Sequence, residues 1–221
     1  ELLHEPLGSL LSKALELSKR SDDFLVENDP YTGLSNNHPV RAILALTHAA
    51  KRNEFPKWAW SKFLNSEVRK DDKSKFSALI AERLLRYPDC VIADVIYPVS
   101  SWVLTASQSL SSSYPQVFGK LVFKLINLFR SNSMAGKTSI SRGNKEVDWT
   151  MEAINAPVGK IAQALFNDPR SNDFQSDTLA AKEWLVLVEG MLSLHGDLHR
   201  HALVIFSHNI NWFYAKNPNW T

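Results

Sequence analysis

Leu3, Leu7, Leu10, Leu11, Ala14 and Leu17 recur at intervals of three and four residues, which places them on one stripe of an α-helix. The same period returns in segment after segment, and it constrains this chain more than any other feature. It predicts helices over 2–17, 39–52, 56–66, 71–87, 90–110, 114–130, 148–167, 177–194 and 197–215. The segment "ENDPYTGLSNN" between the first two reads as a polar, turn-rich loop. Asp71 and Asp72 are expected in the first turn of their helix, where its dipole favours negative charge. Pro88 is expected to end that helix. Pro98 should kink the next, and Pro157 should interrupt the helix over 148–167. In "CVIADVIYPVSSWVLTASQSL", β-branched residues leave a buried strand open as an alternative, but no hairpin punctuation supports one.

The expected fold class is therefore all-α: about nine helices paired as antiparallel hairpins in a solenoid-like (HEAT-like) array. No fixed repeat period stands out. Residues 1–221 read as a single all-α region of a larger protein, with the Ser-, Gly- and Lys-rich loop 131–147 as a point of sub-division.

Cys90 is the only cysteine, so an internal disulfide is excluded and a reducing, cytoplasmic setting is expected. Its apolar neighbours suggest a small buried side chain. Apolar residues make up 44% of the chain, an ordinary globular share that disfavours disorder. No apolar run reaches the roughly 18 residues needed to cross a bilayer, so no membrane partner is expected.

Three features invite a chemical reading. His195, His199, His201 and His208 cluster near the C-terminus, but Gly196 and Asp197 read as a helix stop followed by a helix start. That breaks the i,i+4 geometry of a metal pair, and Gly196 stands where a zinc-protease motif needs Glu. No metal site and no cofactor are expected. "SNSMAGKTS" ends like a phosphate-binding loop, but Ser131 occupies the position of the required first glycine, and the segment before it has helical spacing. The third feature is charge. Between Asp94 and Glu146 no acidic residue occurs, whereas Lys120, Lys124, Arg130, Lys137, Arg142 and Lys145 do. This basic stretch suits contact with phosphates of a nucleic acid or docking on an acidic partner. The seven tryptophans read mainly as core, with the late cluster at Trp212 and Trp220 as a candidate partner surface.

Two segments, "EAINAPVGKIAQALF" and "RHALVIFSHNINWFYAKNPNWT", resemble the helical domain of unknown function found C-terminal to sirtuin-like domains in bacterial antiphage-defence proteins. The resemblance rests on Asn155, Pro157, Gly159 and Lys160 and on Trp212, Pro218, Trp220 and Thr221. It implies a helical, non-catalytic region that senses a trigger or mediates assembly, attached to an effector that binds or hydrolyses NAD. No Gly-rich dinucleotide loop occurs in the chain itself. The expected partner is a protein or the attached effector domain, with nucleic acid as the alternative. No catalytic residue is expected.

Overall fold

The computed structural model describes residues 2–20, 29–138, 146–175 and 177–221, which form fourteen α-helices, two 3-10 turns and no strand. The all-α class thus stands, with more and shorter helices than the period suggested. Among the described residues, no helix is long and apolar enough to cross a membrane. The helices gather into two compact units, Glu1–Asp71 and Asp72–Thr221.

In the first unit α1 (Leu10–Arg20), α2 (Pro30–Asn37), α3 (Pro39–Ala50) and α4 (Lys57–Leu64) are followed by a 3-10 turn, Glu67–Asp71. Helix α1 begins later than expected because Pro6 lacks an N–H; its carbonyl instead accepts from the amides of Ser9 and Leu10. Helix α2 falls where a loop was expected. Asp29 caps it, accepting from the Thr32 amide at 2.7 Å, and Pro30 occupies the first turn. Tyr31, Leu34 and Ser35 on that helix are buried. With Leu10, Ile43, Leu46, Trp60 and Phe63 they form the core of this unit.

The second unit contains α5 (Ser74–Arg86), α6 (Asp89–Asp94), α7 (Ile96–Ser113), α8 (Pro115–Ser131), α9 (Ser133–Gly136), α10 (Trp149–Asn155), α11 (Pro157–Phe166), a 3-10 turn (Pro169–Asp173), α12 (Leu179–Leu192), α13 (Gly196–Ser207) and α14 (Ile210–Lys216). Helix α7 packs on α5, α8 and α11, and α11 in turn packs on α10, α12 and α13. Helices from both sides of the 131–147 segment therefore share one core, which includes Trp102, Leu121, Leu125, Ile161 and Trp184.

Several boundaries differ from the periodic reading. Asp71 and Asp72 precede α5, whose first turn holds no acidic residue. Pro88 does end α5, with Tyr87 extended before it. Pro98 kinks nothing: the break comes at Val95, and Pro98 lies in the first turn of α7, where a missing N–H is harmless. Pro157 opens α11, as expected of an interruption there. The last helix divides at Asn209, whose side-chain amide donates to the Ile205 carbonyl at 3.0 Å.

Candidate functional site

The four late histidines do not converge. His195 is the residue before α13, and Gly196 has a φ of 60°, the left-handed turn that reverses the chain after α12. His199 Nδ1 lies 2.8 Å from the Leu192 carbonyl at the end of α12. His208 ends α13, its ring 2.7 Å from the Val204 carbonyl. His201 is buried, with Nε2 3.7 Å from the equally buried Glu152 carboxylate and its ring beside Trp149. Among the described residues no group of three or more His, Cys, Asp or Glu is placed to hold a metal ion.

The Gly-Lys-Thr stretch is equally unlike a phosphate loop. Helix α8 runs to Ser131, so the motif follows a helix rather than a strand. Gly136 is packed against Leu198 and Val158.

Of the six basic residues, Arg142 and Lys145 lie outside the described residues. The other four have separate surroundings. Lys124 donates to the Tyr87 carbonyl at 2.7 Å, at the end of α5, and pairs with Asp89 at 3.1 Å. Arg130 donates to Ser193 Oγ at 2.7 Å, at the end of α12. Both place a cation at a helix C-terminus, where the exposed carbonyls favour it. Lys137 lies 3.7 Å from Asp197. Lys120 is exposed on α8, on the rim of a groove.

The residues that carry the family resemblance have local structural duties. Asn155 donates back to the Met151 carbonyl at 2.8 Å. Gly159 lies against the preceding helix so closely that a Cβ would come 1.7 Å from the Ala153 carbonyl oxygen. Lys160 Nζ donates to Ser101 Oγ at 2.6 Å, joining α11 to α7, and burial lowers its pKa. Trp212 and Trp220 join Phe174 and Phe213 in an aromatic cluster, with ring centroids 5.0–6.3 Å apart. Phe166, Phe206 and Trp184 extend it. Cys90, expected to be buried, is instead exposed in the first turn of α6; the apolar side chain buried there is Ile92.

The groove on whose rim Lys120 stands lies between α8 and α12. It has a volume of about 280 Å³ and is lined by Gly119, Phe123, Val186, Arg170 and Glu183 among others. Arg170 and Glu183 in its lining belong to a charge network that is buried at Asp168 and Arg170. Asp168 is fully buried and receives Arg170 Nε–H at 3.0 Å and Nη2–H at 2.6 Å. Arg170 Nη1 donates to Glu183 at 3.2 Å, and Gln116 donates to the same carboxylate. This network ties the 3-10 turn to α12 and α8. Phe123 and Val186 stand over it, 48% and 55% exposed.

None of these residues except Lys120 was singled out in the sequence. The signal was there in part. Phe123 falls off the buried stripe of α8 (Phe118, Leu121, Val122, Leu125) and Val186 off that of α12 (Trp184, Leu187, Val188, Met191). Comparison of the chain with protein-family models, with curated proteins and with solved structures found no match.

Proposed function

We propose that residues 1–221 form a non-catalytic interaction and regulatory module of a larger bacterial cytoplasmic protein, attached to a sirtuin-like NAD-hydrolysing effector whose trigger or assembly it governs. The solenoid-like, HEAT-like stacking of hairpins belongs to this reading. Its support is the packing of consecutive helices in α2–α3, α7–α8 and α12–α13.

One observation carries the proposal. Several of the side chains able to do chemistry are engaged in holding helices together, whereas a groove with an apolar rim is left open. His199, Lys124 and Arg130 meet helix-end carbonyls or their neighbours; Lys160 and Arg170 bridge separate elements. Large apolar side chains standing in solvent beside a groove are the usual mark of a binding surface. Nucleic-acid contact through Lys120, Lys124, Arg130, Lys137, Arg142 and Lys145 is the competing reading. The engagement of Lys124, Arg130 and Lys137 weighs against it.

The test is NAD consumption by the full-length gene product, with and without residues 1–221, in the presence and absence of a phage lysate. The expected result is trigger-dependent consumption by the full protein and loss of that dependence, not of turnover, on deletion. Absence of NAD consumption in every condition overturns the proposal. Binding to DNA or RNA that weakens steeply with salt would then support the competing one.

A further inference from the structure

Three lysines of the second unit pair with carboxylates: Lys124 with Asp89, Lys137 with Asp197 and Lys182 with Asp177. Lys160 does not. Its Nζ meets a hydroxyl, Ser101 Oγ, at 2.6 Å, and among the described residues no carboxylate stands beside it.

Three aspects of its surroundings disfavour the charged form of this amine. The first is burial. Lys160 is partly buried, and taking an ammonium out of water without a counter-ion penalises the charge. The second is position. Lys160 is the fourth residue of the ten-residue helix α11, near the positive end of the helix dipole, where a cation is unfavourable. The third is the helix it bonds to. Between Ile96 and Ser113, α7 carries no Asp, Glu, Lys or Arg; its titratable side chain is Tyr97, whose hydroxyl donates to the Lys137 carbonyl.

The charged groups on the other elements around α11 are engaged elsewhere. Glu152 of α10 faces His201 of α13, Asp197 pairs with Lys137 and Arg200, Glu183 with Arg170, and His199 meets the Leu192 carbonyl. Glu189 of α12 is exposed. The 3-10 turn with Arg170 and Asp173 follows the opposite end of α11. Burial is accordingly what lowers the Lys160 pKa. An unprotonated lysine is a nucleophile, and desolvation away from carboxylates is how proteins make one. The side chain is also partly exposed, which leaves it open to a small activated acyl group.

We propose that Lys160 is an acylation site, modified by an acyl phosphate, and that the acyl group breaks the bond to Ser101 that ties α11 to α7. The Nζ lone pair attacks the acyl carbon and a C–N bond forms. The bond from that carbon to the phosphate oxygen breaks, inorganic phosphate leaves with the electron pair, and the displaced Nζ proton goes to water. The amide that results is uncharged, and its added bulk moves Nζ away from Ser101. This site does not depend on what the module binds.

The whole 221-residue chain is incubated with acetyl phosphate near neutral pH, and acetyl occupancy at each lysine is followed by peptide mass spectrometry. Lys160 is expected to react faster than Lys120, exposed on α8, by about threefold or more. The ratio should fall as pH rises and both amines lose their protons, and it should vanish in denaturing urea. Ser101→Asp supplies the missing carboxylate and should slow Lys160 by about tenfold, the change in neutral amine for one pKa unit. Ser101→Ala supplies none and should keep the preference, so the test stands even if the new charge disturbs the fold. Hydrogen exchange in α11 should rise after acetylation, and should not rise in Lys160→Arg given the same treatment.

Acetylation of Lys160 no faster than that of Lys120 overturns the proposal. So does a preference that survives in urea or in Ser101→Asp. An acetyl ester on Ser101, released by hydroxylamine, overturns it by making the serine the acceptor. Acetylation at Lys160 that leaves exchange in α11 unchanged overturns the loosening of the joint.

Discussion

At Asp29, burial raises the carboxyl pKa, while hydrogen bonds from Lys62, Ser18 and both the amide and hydroxyl of Thr32 lower it. The bonds win, and the carboxyl is held at about 2 against its ordinary 3.8. A carboxyl depressed by folding stabilises the fold above its unfolded pKa and ceases to do so as pH falls through its folded one. The stability that Asp29 adds to the first unit is therefore full above pH 3.8 and lost between there and about 2. Asp29→Asn should remove most of that pH dependence. At neutral pH the variant should be less stable by about 1 kcal/mol, since it loses the charge on a helix cap. Urea denaturation followed at 222 nm across this pH range measures both effects, and an unchanged pH profile in the variant would refute the assignment. The same logic of local satisfaction explains Lys124 and Arg130. Each lies within α8 and reaches oxygens at the C-terminal end of another helix, so charge alone in a sequence does not say that it faces a ligand.

At the scale of elements, the joint between α10 and α11 depends on a single missing Cβ. Gly159→Ala would force the Ala153 carbonyl to move, and overpacking of this kind costs about 1–3 kcal/mol. Gly119→Ala should go the other way, gaining roughly 0.5–1 kcal/mol from helix propensity because its Cβ has room. Urea midpoints of the two variants should therefore shift in opposite directions; a shared direction would contradict the packing described. Neither role was legible in the sequence, where the two residues are both glycines within helical patterns. What was legible followed from short-range periodicity: the buried stripes of α5, α8 and α12, the stop at Pro88, the joint at Pro157 and the turn at Gly196. The misses came from competing local signals. Asp29 and Pro30 start a helix as strongly as Gly33, Asn36 and Asn37 argue for a loop, and Asp71 and Asp72 lie before rather than inside α5. At the groove, Lys120 was visible as a charge. Arg170 reaches it from a 3-10 turn fifty residues later in the chain, a juxtaposition that only the tertiary packing of α8 on α12 creates.

For the whole molecule, the two units differ in what size alone allows. A domain near the size of Glu1–Asp71 buries only about 60% of the surface its unfolded chain exposes, whereas one near that of Asp72–Thr221 buries about 68–70%. The first unit relies on a small core around Tyr31, Trp60 and Phe63 and on a buried arginine, Arg69, set over the Phe63 ring. Burial also pushes the Tyr31 hydroxyl pKa up, and that hydroxyl has no hydrogen-bond partner among the described residues, a cost the small core must offset. The second unit has the aromatic cluster of Phe166, Phe174, Trp184, Trp212 and Phe213 in addition to its helical core. Equilibrium unfolding in urea is therefore expected to proceed in two steps, the first unit first. Tryptophan reports the order directly, because Trp58 and Trp60 lie in the first unit and Trp102, Trp149, Trp184, Trp212 and Trp220 in the second. Replacing Trp58 and Trp60 with Phe should abolish the early fluorescence change and leave the late one in place. A residues 72–221 fragment should reproduce the late transition at about the same midpoint. A single transition that both tryptophan sets report together, and that the fragment fails to reproduce, would mean that the two units fold only as one.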